Sequence, residues 1–239
     1  MYSATKIHIF GDSIMKGCIF DEAARKYRTL PEGPLQPLED RYGVQVNNQS
    51  VYGYTIDKGY NRLRAAIAKG LDCTMALLEF GGNDCNYAWD EVSGTPEAEH
   101  SPRTPITRFE SVYRSMIHEL KKLKITPILM SLPPVDADKY FAFLSSLKGV
   151  DKACIRAWLG DVQRIARYQE LYSNTIVKIA YETKSLFVDV RSLFLDHANY
   201  KQLMCSDGIH PNADGHRLIK QAFADFASAY FPSLSPDPA

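Results

Sequence analysis

Residues 74–84 read Thr74-Met75-Ala76-Leu77-Leu78-Glu79-Phe80-Gly81-Gly82-Asn83-Asp84. The first seven make a mostly apolar run, and two glycines stop it. A run that is apolar without alternating suits a strand buried on both faces, as in a parallel sheet covered by helices. Four other stretches share this character: residues 7–10, ended by Gly11; 44–47; 126–132, ended by Pro133-Pro134; and 186–190.

Amphipathic patterns lie between these runs. One covers residues 56–68. Another covers 105–123, where Phe109, Val112, Tyr113, Met116, Ile117 and Leu120 fall on one helical face. Thr104 before Pro105 predicts an N-cap followed by a proline at the first helical position. Residues 162–183 and 213–230 complete the set. Strand–helix alternation predicts right-handed crossovers and a five-stranded, mostly parallel sheet covered on both faces. The chain reads as one domain over residues 1–231, with insertions near 85–103 and 136–158 and a short Pro-rich tail at 232–239.

The 239 residues carry 28 Lys plus Arg against 28 Asp plus Glu, a net charge of zero. That balance argues against a nucleic-acid partner, which calls for a basic excess. No apolar run reaches the ~18 residues of a membrane span, and no apolar leader precedes a cleavage site. The expectation is a soluble, cytoplasmic protein without membrane insertion, although a trimmed signal peptide would leave the same sequence. The five cysteines are odd in number and none has CxxC spacing, so neither a disulfide framework nor a zinc site is expected.

In doubly wound sheets ligands sit beyond the carboxyl ends of the strands. Four of the five ends carry suitable chemistry: Gly11-Asp12-Ser13, Tyr52-Gly53, Gly81-Gly82-Asn83-Asp84 and, through a loop, Asp207-Gly208-Ile209-His210-Pro211. Ser13 is placed where a strand turns into a helix, as nucleophile or as N-cap. A nearby imidazole would activate it, and His210 is the best candidate. Asp207, three residues earlier, can hold the ring from the same tight turn. A metal pair is the competing use of Asp207 and His210, but no third histidine or cysteine has good spacing. Ser13 and Gly53 can offer backbone N–H groups, and Asn83 a side-chain NH₂, to an oxyanion. Cys85 and Cys205 flank these motifs without occupying the turn that Ser13 does.

Together the four blocks resemble the SGNH hydrolases, the GDSL-type esterase and lipase superfamily. Gly11-Asp12-Ser13 matches the first block, with Ile14 at the name-giving leucine. Gly53 matches the second, with Ser50 at the position of its first glycine. Gly81-Gly82-Asn83-Asp84 matches the GxND block and Asp207–Pro211 the DxxHP block. The resemblance implies a flavodoxin-like, three-layer α/β/α fold. It implies Ser13 as nucleophile, His210 as base and then acid, and Asp207 as its orienting partner. It implies an oxyanion hole of Ser13, Gly53 and Asn83, and acyl-enzyme hydrolysis without metal or cofactor. Asp12 and Asp84 are read as structural, bonding loop backbone.

The insertions bear on the substrate. Tyr87 and Trp89 suit stacking on a sugar, which favours a short-acyl, acetyl-type ester of a carbohydrate or other small molecule. Phe141 and Phe143 suit an acyl-chain pocket, which favours a lipase or lysophospholipase. A catalytically inactive binding module is the third reading. No basic cluster marks a phosphate or coenzyme A site, and the zero net charge makes a neutral ester the simplest substrate.

Overall fold

The computed structural model describes residues 5–230, so the tail expected at 232–239 lies outside the described residues. The strands are β1 (Lys6–Gly11), β2 (Cys18–Asp21), β3 (Lys26–Thr29), β4 (Gln45–Asn48), β5 (Met75–Glu79), β6 (Thr126–Met130) and β7 (Leu186–Val188). The helices are α1 (Gln36–Tyr42), α2 (Ile56–Ala68), α3 (Trp89–Gly94), α4 (Ile106–Lys122), α5 (Ala137–Leu144), α6 (Lys152–Leu159), α7 (Arg164–Thr183), α8 (Val190–Leu195) and α9 (Ala213–Tyr230). Five strands form one parallel sheet in the order β4-β1-β5-β6-β7. Numbered among themselves they run 2-1-3-4-5, the doubly wound order of flavodoxin-like folds. The chain steps from β1 to one side and then to the other, so the crevice opens beyond the carboxyl end of β1.

Side chains alternate across the pleat. Along β1, Ile7 and Ile9 join one core with Leu38 of α1, Phe194 of α8 and Phe223 of α9. Phe10 joins the opposite core with Leu63 of α2, Phe109 and Tyr113 of α4 and Ile176 of α7. Each face of the sheet is thus filled by a helical layer. All five β5 residues are buried, as the unalternating run requires. α2 lies close to the sheet because Gly59 has no Cβ; one built there would stand 2.1 Å from the Phe80 ring.

Several boundaries differ from the sequence reading. The fifth run ends at Val188, because Asp189 turns to cap α8 and accepts from the Ser192 N–H at 3.2 Å. Thr104 is not the cap of α4: Pro105 occupies that position, extended at φ −53°, ψ 145°, as its ring and missing N–H allow. The two insertions are helical. α3, α5 and α6 bury Trp89, Val92, Tyr140, Phe141, Leu144 and Ile155 in a third apolar cluster beside the crevice. Among the described residues no helix is long and apolar enough to cross a membrane.

Candidate active site

The end of β1 is crowded. A Cβ on Gly11 would stand 3.0 Å from both Glu79 Oε2 and Ser50 Oγ, so any larger residue there would have to push these side chains aside. No helix follows, contrary to the strand-to-helix turn expected at Ser13. The chain makes one tight turn instead, in which the Lys16 N–H donates to the Asp12 carbonyl at 3.2 Å and the Cys18 N–H to the Ser13 carbonyl at 2.9 Å. Gly17, at φ +74°, then reverses it into the antiparallel β2–β3 hairpin. A left-handed residue at that point stops helix propagation.

The second piece is the loop after Met204. Gly208 takes φ +75°, and the Asp207 Oδ1 accepts from the N–H groups of Ile209 and His210, each at 3.1 Å. This Asx-type turn aims both side chains the same way. Asp207 Oδ2 lies 2.6 Å from His210 Nδ1, and His210 Nε2 lies 2.9 Å from Ser13 Oγ. All three residues are buried. An ionised carboxylate only accepts, so Nδ1 carries the proton in the neutral ring and Nε2 is free to accept from Ser13. Burial works against a charged imidazole here, but the hydrogen bonds and charges of Asp207 and Cys18 outweigh it and raise His210 above its ordinary range. A hydroxyl bonded to an imidazole, itself bonded to a buried carboxylate, can surrender its proton and attack a carbonyl carbon.

The third piece supplies donors. Ser13, Gly53 and Asn83 all line the same cleft. Among the described residues no acceptor takes the N–H of Ser13 or of Gly53. Asn83 Nδ2 donates one hydrogen to Asp12 Oδ2 at 2.9 Å, which leaves its other hydrogen for a ligand. Asp12 Oδ1 accepts from the Ile14 N–H and Asp84 Oδ1 from the Ile56 N–H, both at 2.9 Å. The two aspartates therefore brace loop backbone, as read from the sequence. Behind them Glu79, fully buried on β5, accepts from the Asp12 N–H at 3.2 Å. Burial raises the pKa values of Asp12 and Glu79 and brings Asp84 up to about 7.

The cleft above has a volume of about 430 Å³. Its wall beside His210 is the β2–β3 hairpin, which the sequence reading missed. The Tyr27 ring lies 5.0 Å from that of His210, and Thr29 shares a hydroxyl hydrogen bond with Tyr52. Only a four-residue exposed strand carries Tyr27, too short to give a periodic signal. Tyr87 and Trp89 line the cleft, yet each is only 5% exposed. Trp89 Nε1 is bonded to Asn86 and Tyr140, at 2.8 and 2.9 Å, so little ring face is open for stacking on a sugar. Phe143 also lines the cleft. Phe141 does not: it is buried in the third cluster, with Lys152 and Arg156 each 5.0 Å from its ring centre. On an amphipathic helix two positions apart means opposite faces, so the two phenylalanines could not serve one pocket. Cys85 lines the cleft and burial raises its pKa; Cys205 is raised to about 11 for the same reason, which makes both poor nucleophiles.

Comparison with known proteins places these features in context. The model of the GDSL-like lipase/acylhydrolase family matches residues 9–218. The isoamyl acetate-hydrolyzing esterase of Saccharomyces cerevisiae is 23% identical, over 97% of this chain and 89% of its own length. The acetylxylan esterase of Geobacillus stearothermophilus is 25% identical over 80% of this chain and 75% of its own. The crystal structure of an acetylxylan esterase from that organism shares the fold at a TM-score of 0.62 and 21% identity, covering 94% of each chain. A lipase/acylhydrolase from Enterococcus faecalis superposes at 0.62 and 18% identity, covering 98% of this chain and 100% of its own.

Proposed function

This chain belongs to the GDSL-like lipase/acylhydrolase family and is a carboxylic ester hydrolase, and from that premise we propose that it cleaves a short-acyl, acetyl-type ester of a carbohydrate or other small molecule through an acyl-enzyme on Ser13. The observation that carries this reading is the continuous Asp207–His210–Ser13 hydrogen-bond chain, at 2.6 and 2.9 Å.

In the proposed cycle Ser13 Oγ attacks the ester carbonyl carbon while His210 Nε2 takes its proton. Asp207 holds the ring and balances the imidazolium charge. The negative oxygen is received by the N–H groups of Ser13 and Gly53 and by Asn83 Nδ2. His210 then returns the proton to the departing alcohol as the C–O bond breaks. Water attacks the acyl-serine, again giving its proton to His210, and the acid leaves as Ser13 regains its hydrogen. Every proton is moved by the chain's own side chains, so the cycle asks for no cofactor.

The acyl length rests on two supports. Two relatives are named for acetyl esters, isoamyl acetate and acetylxylan. The cleft is also of small-molecule size. The apolar wall that includes Phe143 and Leu147 favours a second reading, a hydrolase of longer acyl esters. A series of p-nitrophenyl esters from acetate to palmitate decides between them. We expect kcat/KM to be highest at acetate and to fall with chain length; a maximum at the long esters overturns the acetyl reading in favour of the lipase-type one.

A further inference from the structure

The cleft carries local positive charge that the overall balance conceals. Arg103, in the loop between α3 and α4, and Arg164, the first residue of α7, both line it. Arg164 is half-buried, lies 4.5 Å over the Trp158 ring and donates to the Trp158 carbonyl at 3.3 Å. Arg103 is exposed. Burial raises the pKa values of Tyr140 and Tyr87 in the cleft wall, and Arg103 and Arg164 respectively act weakly against that rise. Among the described residues neither arginine has a carboxylate within ion-pair distance, and of the arginines in that state these two line the cleft.

The other charges of the cleft do not cancel them. Its acids, Asp12 and Glu79, are at the floor, where burial favours their neutral forms. A third arginine, Arg191, stands behind the wall and donates to the cleft residue Gln169 at 2.8 Å. Two guanidinium groups that line the cleft without a carboxylate partner are suited to a carboxylate, which the N–H groups not bonded to Trp158 can engage.

We infer that the cleft recognises an ester bearing a carboxylate group, held by Arg103 and Arg164. The inference rests on the esterase reading above and deepens it. It also replaces the neutral ester that the zero net charge suggested, because a sum over 239 residues says nothing of where charges lie.

The carboxylate could belong to the alcohol or the acyl part, and two pairs of esters separate these sources. On the alcohol side, 4-acetoxybenzoate is compared with its methyl ester. The methyl ester has the better leaving group, so any preference for the anion runs against intrinsic reactivity. On the acyl side, the monophenyl ester of adipic acid is compared with its methyl phenyl diester. We expect kcat/KM to favour the anion by about tenfold or more in one pair, and added KCl to compress that ratio. Arg103→Glu should lower the same ratio at least about tenfold. Arg164→Met, checked for native circular dichroism, should lower it too. Arg217→Glu, the same change in net charge on α9, should leave it unaltered. Equal rates within both pairs overturn the inference while the esterase reading stands, and so does an equal effect of Arg217→Glu. If the parent protein cleaves none of the four esters, the esterase reading itself fails.

Discussion

Asn83 Nδ2 donates to Asp12 Oδ2 at 2.9 Å, so the amide assigned to the oxyanion is held by the residue that precedes the assigned nucleophile. The two residues follow β5 and β1, adjacent parallel strands whose register pairs Gly11 with Glu79. The spacing between nucleophile and donor is thereby set by the sheet rather than by a free loop.

That arrangement predicts unequal effects at the two positions. Asn83→Ala removes a donor and should lower kcat by about 10²–10³ with little change in KM. Asp12→Asn keeps an oxygen that can face Asn83, so its loss should be smaller. Steady-state kinetics on p-nitrophenyl acetate measure both; equal loss in the two variants would contradict the assigned roles.

Removing the nucleophile or its base should be far more costly. Ser13→Ala and His210→Ala should each lower kcat by about 10⁴ or more. A fluorophosphonate probe should label the parent protein at Ser13. Absence of labelling in folded protein would return the chain to the class of binding modules.

The catalytic base must be neutral to accept a proton, and His210 is held above the ordinary imidazole range by Asp207 and Cys18 acting against burial. Activity should therefore be lost on acidification through a midpoint above about 6.5. Asp207→Asn removes the charge that sustains the shift. It should move that midpoint down and cut kcat by about 10³–10⁴. A pH–rate profile whose midpoint stays put in this variant speaks against the pairing.

Gly208 tests the turn that joins Asp207 to His210. A Cβ there would stand 2.4 Å from the Tyr140 nitrogen and 2.5 Å from the Asp136 carbonyl oxygen, at φ +75°. These are backbone atoms and cannot swing aside. Gly208→Ala should cost about 2–4 kcal/mol of stability, read by denaturant melts, and should lower activity in whatever fraction still folds.

His216 gives stability a pH dependence of its own. It is buried, its Nε2 lies 2.9 Å from the Cys18 carbonyl oxygen, and burial lowers it to about 4. Between about 6.5 and 4 the unfolded chain binds a proton here that the folded chain refuses. The contribution is thus whole above pH 6.5 and lost as the pH falls through that window, by at most about 3 kcal/mol. His216→Gln should make the acid-side fall in Tm shallower. The buried carboxyls titrate in both proteins, so the difference in slope isolates the histidine.

The sheet and its large helices were legible because burial on both faces writes itself into sequence as unalternating strands and striped helices. α2 begins and ends, and α9 begins, where periodicity put them, while the 186–190 run lost its last two residues to the Asp189 cap. Ser13, Gly53, Asn83, Asp207 and His210 could be named because each stands at a strand end or in a tight turn, where few residue types fit. Three residues of the cleft wall, Tyr87, Trp89 and Phe143, were legible as candidates, but its hairpin and its arginines were not. Tyr27 sits on a four-residue strand, and Arg103 and Arg164 gain their meaning from what does not face them. Phe141 was misread because its helix is amphipathic, and the sequence does not say which face meets the cleft.

The Asp136 N–H donates to the Gly208 carbonyl at 2.8 Å, and Lys201 pairs with Asp138 while Lys139 Nζ bonds the Lys201 and Met204 carbonyls. The segment that carries one wall of the cleft is thereby stitched to the turn that carries the acid–base pair. Recombination between relatives cannot trade residues 136–158 alone for a new substrate preference without also disturbing the reacting groups. Exchange has to take 201–211 along, and a library cut at those joints should keep more active members than one cut at the ends of the insertion.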